Sequence, residues 1–221
     1  MKLSRSIKKS IVVPMLLVAG LAAFAPSLRA STTLLDNTSA SIDGAGGLVF
    51  NSTSSGIPLL FSTGSTAYSL NSIELAIASD VTETGSFTLS LYSGGTPSGT
   101  AIASQTFSGI SFTGTATALT ENLSDGFSVA ANSNYTLLFQ TSVSQGRMST
   151  TTTGDILSGG TSGLTYLGRK YSPNGVNWIG PWTTVTPYMQ LTGTAAIPEP
   201  SALALLGLGT LGLVARRRRV G

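Results

Sequence analysis

The chain contains no cysteine and no histidine. Without cysteine there is no disulfide framework, so any fold must be held by its apolar core. Losing both residue types removes Ser-His-Asp and Cys-His catalytic arrangements, zinc sites built on them, and haem held by either. Carboxylate pairs of the glycosidase kind survive this exclusion, yet no acid pair stands in a suggestive context. Neither a Gly-x-Ser-x-Gly elbow nor a phosphate-binding loop occurs. The expectation is a protein that is not an enzyme and uses no cofactor. Charge is also scarce, with Asp, Glu, Lys and Arg making up 10% of the chain. The formal net charge of +3 misleads, because nine of the twelve bases lie at or before Arg29 or in Arg216–Arg219. Between Ser31 and Ala196, three bases (Arg147, Arg169 and Lys170) face eight acids, a net of −5. Such a body repels phosphate backbones and offers no basic stripe, which excludes nucleic acid as a partner.

The clustered bases flank two apolar stretches. Lys2, Arg5, Lys8 and Lys9 precede Ile11–Ala25, and Ser27-Leu28-Arg29-Ala30 leads into Ser31. A basic start, an apolar run and a small residue at its end form the pattern of a secretory signal peptide, with cleavage expected after Ala30. The run is shorter than the ~20 residues a spanning helix needs, which argues against a permanent N-terminal anchor. At the other end, Pro198-Glu199-Pro200 is followed by Ser201–Ala215 and then by Arg216, Arg217, Arg218 and Arg219. As a helix, Ser201–Ala215 covers about 22 Å of a hydrocarbon core near 30 Å thick, and snorkelling arginines lengthen its reach. The arginines resist translocation, so the end stays cytoplasmic and Pro198–Pro200 lies outside, extended ahead of a transmembrane helix. A plain tail anchor is the simpler alternative. Gly207-Leu208-Gly209-Thr210-Leu211-Gly212 has the glycine spacing of a dinucleotide fingerprint but lacks the strand and the later acid that motif needs.

These ordered features resemble the PEP-CTERM sorting signal of Gram-negative bacteria. The resemblance implies that Pro198, Glu199 and Pro200 are read by an exosortase-type processing enzyme. It also implies transient residence in the inner membrane, then a cell-surface or extracellular place beside exopolysaccharide.

Between the ends the pattern is strand after strand. Ile73, Leu75 and Ile77 share one face, and Phe87, Leu89 and Leu91 another, with Thr88 and Ser90 expected to point outward. Gly47–Asn51, Ile57–Ser62, Ala101–Phe107, Thr115–Leu119, Asn134–Gln140 and Tyr188–Thr194 are further strand candidates, and Ser93–Gly99 is a turn-rich loop. Short strands with regular turn signals predict an all-β, antiparallel β-sandwich or jelly-roll-like fold. The expected division is a signal peptide over 1–30, an exported β-sandwich domain over 31–196, and the sorting signal over 197–221. The order Phe61–Leu70, Ile73–Ala78, Leu89–Gly99, Phe127–Tyr135 and Trp178–Thr192 is similar to the choice-of-anchor R domain, an exported β-rich module joined to different surface-anchoring tails. That resemblance implies a fold and brings no catalytic residues.

The stretch most like a binding site runs from Tyr166 to Trp182. Tyr166, Tyr171, Trp178 and Trp182 are candidate glycan-binding residues, since flat aromatic faces near donors suit the apolar side of a sugar ring. The plain alternative is that Trp178 and Trp182 close one end of the fold, with Ser172–Gly175 a turn and Arg169 and Lys170 solvated. Asp80 and Glu83, or Asp125 beside Asn122, are the acids closest to a calcium set, yet no Asp-x-Asp-x-Asp run occurs and no metal is expected. Asn37, Asn51, Asn122 and Asn134 lie in Asn-x-Ser/Thr sequons, read as chance in a Ser/Thr-rich chain; Thr150–Thr153 is a conceivable site for hydroxyl-linked sugar. The reading is an exported cell-surface or extracellular-matrix structural protein, with a carbohydrate-binding module as the alternative.

Overall fold

Alternation of apolar and polar residues dictates most of the architecture. The computed structural model describes residues 30–50, 56–151, 163–172, 176–184 and 186–196, and among them every regular element is a β-strand. The strands are β1 (Thr32–Asp36), β2 (Ile42–Phe50), β3 (Ile57–Ser62), β4 (Tyr68–Ser79), β5 (Glu83–Ser93), β6 (Ala103–Phe112) and β7 (Thr117–Asn122). They continue with β8 (Ser128–Val129), β9 (Asn134–Thr141), β10 (Gly146–Thr151), β11 (Thr165–Tyr171), β12 (Ile179–Trp182) and β13 (Met189–Ala195). No helix among the described residues is long and apolar enough to cross a membrane. The signal segment, the Pro198–Pro200 motif, the Ser201–Ala215 helix and Arg216–Arg219 lie outside the described residues.

All the pairings are antiparallel, and they build two sheets. One runs β1-β13-β4-β10-β2, with β7 and β8 also pairing to β4; the other runs β12-β11-β3-β9-β5-β6. Ile73, Leu75 and Ile77 of β4 and Phe87, Leu89 and Leu91 of β5 are all at most 2% exposed. Side chains from both sheets join a single apolar cluster. Burying each such aliphatic or aromatic side chain stabilises by about 1.5–3 kcal/mol, which is how a chain without disulfides holds together. Phe87 stacks on Phe107 at 4.6 Å between ring centroids, and Phe61 on Tyr135 at 5.8 Å. The abundant hydroxyls pair across strands, Thr88 with Thr106 and Ser90 with Ser104 at 2.8 Å, Ser72 with Thr192 at 2.7 Å.

One expectation needs correcting. Ser90 does lie on the face opposite Leu89 and Leu91, but it is buried, as are Leu60, Thr136 and Leu138 on the neighbouring strands. The outer face of β3, β9 and β5 is therefore covered rather than solvated. Part of the explanation is the loop after β5. Thr136 Oγ1 donates to Gly94 O at 2.8 Å, and Lys170 Nζ donates to Gly95 O at 2.6 Å, so this loop is stitched back over the sheet. Lys170 is thereby engaged rather than free in solvent.

Five strands lie outside the sequence expectation: β1, β8, β10, β11 and β12. Two of them assemble the candidate site. The two chain ends of the body meet in the first sheet, where Thr32 at the start of β1 stands opposite Gly193 near the end of β13. The backbone ladder continues as far as Ala196, whose N–H donates to Ala67 O at 2.8 Å.

Candidate functional site

Two strands from the Tyr166–Trp182 stretch, β11 and β12, pair at one edge of the second sheet. β11 lies between β3 and β12, and β12 forms the edge. Two glycines let these strands approach as they do. Gly168 has φ +112°, and a Cβ there would sit 2.9 Å from Trp182 O. Gly180 has φ +121°, and a Cβ there would sit 2.9 Å from Arg169 O. Both combine a left-handed backbone with a close approach, so side chains at either position force the strands apart. The register that results sets Arg169 directly opposite Trp182 and Tyr171 opposite Ile179.

Arg169 lies over the Trp182 ring, its guanidinium carbon 5.4 Å from the ring centroid. This cation–π geometry fixes a long side chain that would otherwise sample many rotamers. Around the pair, Arg169, Tyr171, Trp182 and Thr184 line a shallow pocket of about 330 Å³. Tyr171 is 43% and Trp182 38% exposed, which leaves ring surface available to a ligand. The Arg169 Nε is buried and has no hydrogen-bond partner, and no carboxylate among the described residues pairs with this guanidinium. Burial lowers its pKa from the ordinary value, while the neighbouring Tyr166 phenol acts in the opposite sense.

The four candidate aromatic residues do not form one platform. Tyr166 belongs to the apolar core, at 8% exposure, and cannot stack on a ligand; its hydroxyl is buried without a partner. Burial pushes its pKa well above the ordinary value, opposed in part by the charge of Arg169. The cause is register: Tyr166 faces Phe61 of β3, so it points into the core, and a bulge follows before Gly168. Tyr171 and Trp182 do come together, with Arg169. Trp178 lies in a separate groove of about 460 Å³, formed by Thr96, Pro97 and Ser98 of the stitched loop against Val176, Asn177 and Ile179. Arg169 and Thr184 were not among the candidate residues. The signal for Arg169 was the i, i+2 spacing to Tyr171, which places both on one face once the segment is read as a strand.

The remaining candidates are dispersed. Arg147 Nη2 lies 2.5 Å from both carboxylate oxygens of Asp80, and Ser79 Oγ donates to Glu83 at 3.0 Å. Among the described residues no group of three metal-ligating side chains converges. Asn122, Asp125 and Asn134 are exposed, whereas Asn37 is buried with its amide engaged at both ends. Thr150 and Thr151 of the threonine run are buried in β10, and Thr152 and Thr153 lie outside the described residues. Ala30, the expected last residue of the signal peptide, is exposed and precedes β1.

Comparison with known proteins bears on the ends of the chain more than on this pocket. A search of curated proteins found no match. The family description "PEP-CTERM protein-sorting motif" matches residues 196–219, beginning at the last residue of the strand-built body. That match marks the chain as an exported protein, sorted by way of exosortase and held at the membrane by its C-terminal segment before processing.

Proposed function

We propose that this chain is a non-catalytic structural protein of the cell surface or extracellular matrix, delivered through the sorting signal to a place beside exopolysaccharide. The observation that carries the reading is the junction at Ala196. The last ladder residue of the body is also the first residue of the matched motif, so the body is joined to its sorting signal without a spacer domain. The two sheets with their shared core support a jelly-roll-like β-sandwich, and the order of motifs from Phe61 to Thr192 is read as that of a choice-of-anchor R domain. In this reading the signal peptide is removed after Ala30. Ser201–Ala215 then crosses the inner membrane with Arg216–Arg219 on the cytoplasmic side, and exosortase acts at Pro198–Pro200. Replacing Pro198, Glu199 and Pro200 by alanine should leave unprocessed chain in the inner-membrane fraction. Unchanged release on a membrane-fraction blot would refute the role assigned to the motif.

A second reading, carbohydrate binding, is favoured by one observation: an exposed Tyr171 and Trp182 held beside a cation on a rigid strand pair. The apolar face of a pyranose stacks on such rings while its hydroxyls meet Thr184 and the guanidinium. Binding and a structural role are compatible, because a matrix protein that grips polysaccharide organises it.

A further inference from the structure

We infer that the pocket around Arg169 takes a carboxylated sugar, such as the uronic acid residues of an acidic polysaccharide; this rests on the carbohydrate-binding reading and narrows it to one class of ligand. The argument starts from charge. The body carries eight acids and three bases, yet Arg169, partly withdrawn from water, is paired with no acid among the described residues. Of the other two bases, Arg147 is paired with Asp80 and Lys170 is bonded to Gly95 O. A desolvated cation without a counter-charge is costly, and proteins ordinarily pair or expose it. Here the residue is half-buried, its Nε is buried without a partner, and the fold holds the guanidinium against Trp182 at the wall of the pocket. A ligand carboxylate supplies the missing partner, and a planar guanidinium meets a planar carboxylate through two parallel N–H···O bonds.

The surroundings suit the rest of a sugar. Tyr171 offers an exposed ring, Thr184 is exposed at the rim, and about 330 Å³ lies at the small end of ligand pockets, fitting one residue of a longer chain. Trp182 acts as a positioning residue, since its cation–π contact holds Arg169. The openness of the β12 edge, all four of whose residues are exposed, leaves room for a polymer to run past the pocket. Overall charge works against nonspecific capture: a body of net −5 repels a polyanion, so binding of one has to come from a local site.

The test uses the full chain in detergent micelles, titrated with polygalacturonate, dextran sulfate and neutral dextran, with wild type, Arg169→Gln, Arg169→Lys and Tyr171→Ala compared. Polygalacturonate should bind wild type. Arg169→Gln should weaken it about 10- to 100-fold, the scale of a lost charge-assisted pair. Arg169→Lys, which keeps the charge and loses the fork, should fall between them, and exposed Tyr171→Ala should weaken binding with an unchanged melting temperature. Binding of neutral dextran equal to that of polygalacturonate, or insensitivity to Arg169→Gln, would overturn the inference while leaving carbohydrate binding standing. Stronger binding of dextran sulfate, lost equally in Gln and retained in Lys, would show a site for charge alone and overturn the carboxylate assignment. No binding of any polymer would overturn both readings.

Discussion

Removing the Asn37 side chain should loosen the joint between the two ends of the body. Asn37 follows β1 and is 4% exposed. Its Nδ2 donates to Pro187 O at 2.8 Å, its Oδ1 accepts from Met189 N at 2.8 Å, and its own N–H donates to Met189 O at 3.2 Å. One side chain thus satisfies a donor and an acceptor about 150 residues away. Asn37→Ala leaves both the Met189 N–H and the Pro187 carbonyl buried and unpaired, each costing about 1–3 kcal/mol, so roughly 3 kcal/mol in all once some water enters. For a body of this size the melting temperature should fall by about 6–12 °C. Asn37→Asp sharpens the test. A carboxylate accepts from Met189 N but cannot donate to Pro187 O, whereas the protonated acid can do both. The Asp variant should therefore lose less stability near pH 4 than near pH 7, relative to wild type. Thermal melts by circular dichroism measure both effects. An Ala variant within about 1 °C of wild type would refute the reasoning, because two buried unpaired groups cannot be free of cost. The same geometry bears on the Asn37 sequon: a buried amide engaged at both ends is closed to glycosylation in the folded body.

Two further predictions concern the core. Phe87→Ala, which empties a site 2% exposed and stacked on Phe107, should cost about 3–5 kcal/mol in urea unfolding, and a loss under about 1 kcal/mol would contradict the packing. Tyr166→Phe removes a buried hydroxyl that has no partner and should be neutral or stabilising by up to about 1 kcal/mol. It should also flatten the alkaline limb of the stability profile. Burial raises the Tyr166 pKa above its ordinary 10.0, so the folded state keeps its proton where the unfolded chain loses it; that stability is present below pH 10 and lost as pH rises beyond it. Tyr188 contributes in the same direction, through burial and then the Glu74 carboxylate 3.3 Å away. Equal alkaline loss in wild type and Tyr166→Phe would contradict this.

Strands rich in large apolar residues were legible because their side chains announce an apolar face or run. Ile57–Ser62 matches β3 at both ends, and the Ile73 and Phe87 alternations fall within β4 and β5. β10 was not legible, since Gly146–Thr151 is buried along nearly its whole length and its small polar residues give no period-2 contrast. β12 escaped for the opposite reason: Ile-Gly-Pro-Trp is exposed throughout and reads as a turn, although Pro181 suits an edge strand. The candidate site was legible in composition and not in geometry. The aromatic richness of the Tyr166–Trp182 stretch was visible, but the bulge and register that send Tyr166 inward depend on β3 about a hundred residues earlier, and the facing of Arg169 and Trp182 depends on the β11–β12 register. The hydrogen bonds that fold the loop after β5 over the sheet are equally nonlocal, so Ser90 looked solvated when it is not.

The joint at Ala196 has a mechanical meaning. Any load borne by the tail enters β13, and β13 is not a border strand: β1 clasps it on one side and β4 on the other. Pulling it free requires two ladders to give way together instead of one edge unzipping bond by bond. A tether that emerges there drags on the middle of the sheet, which suits a protein that must stay whole while its end is held.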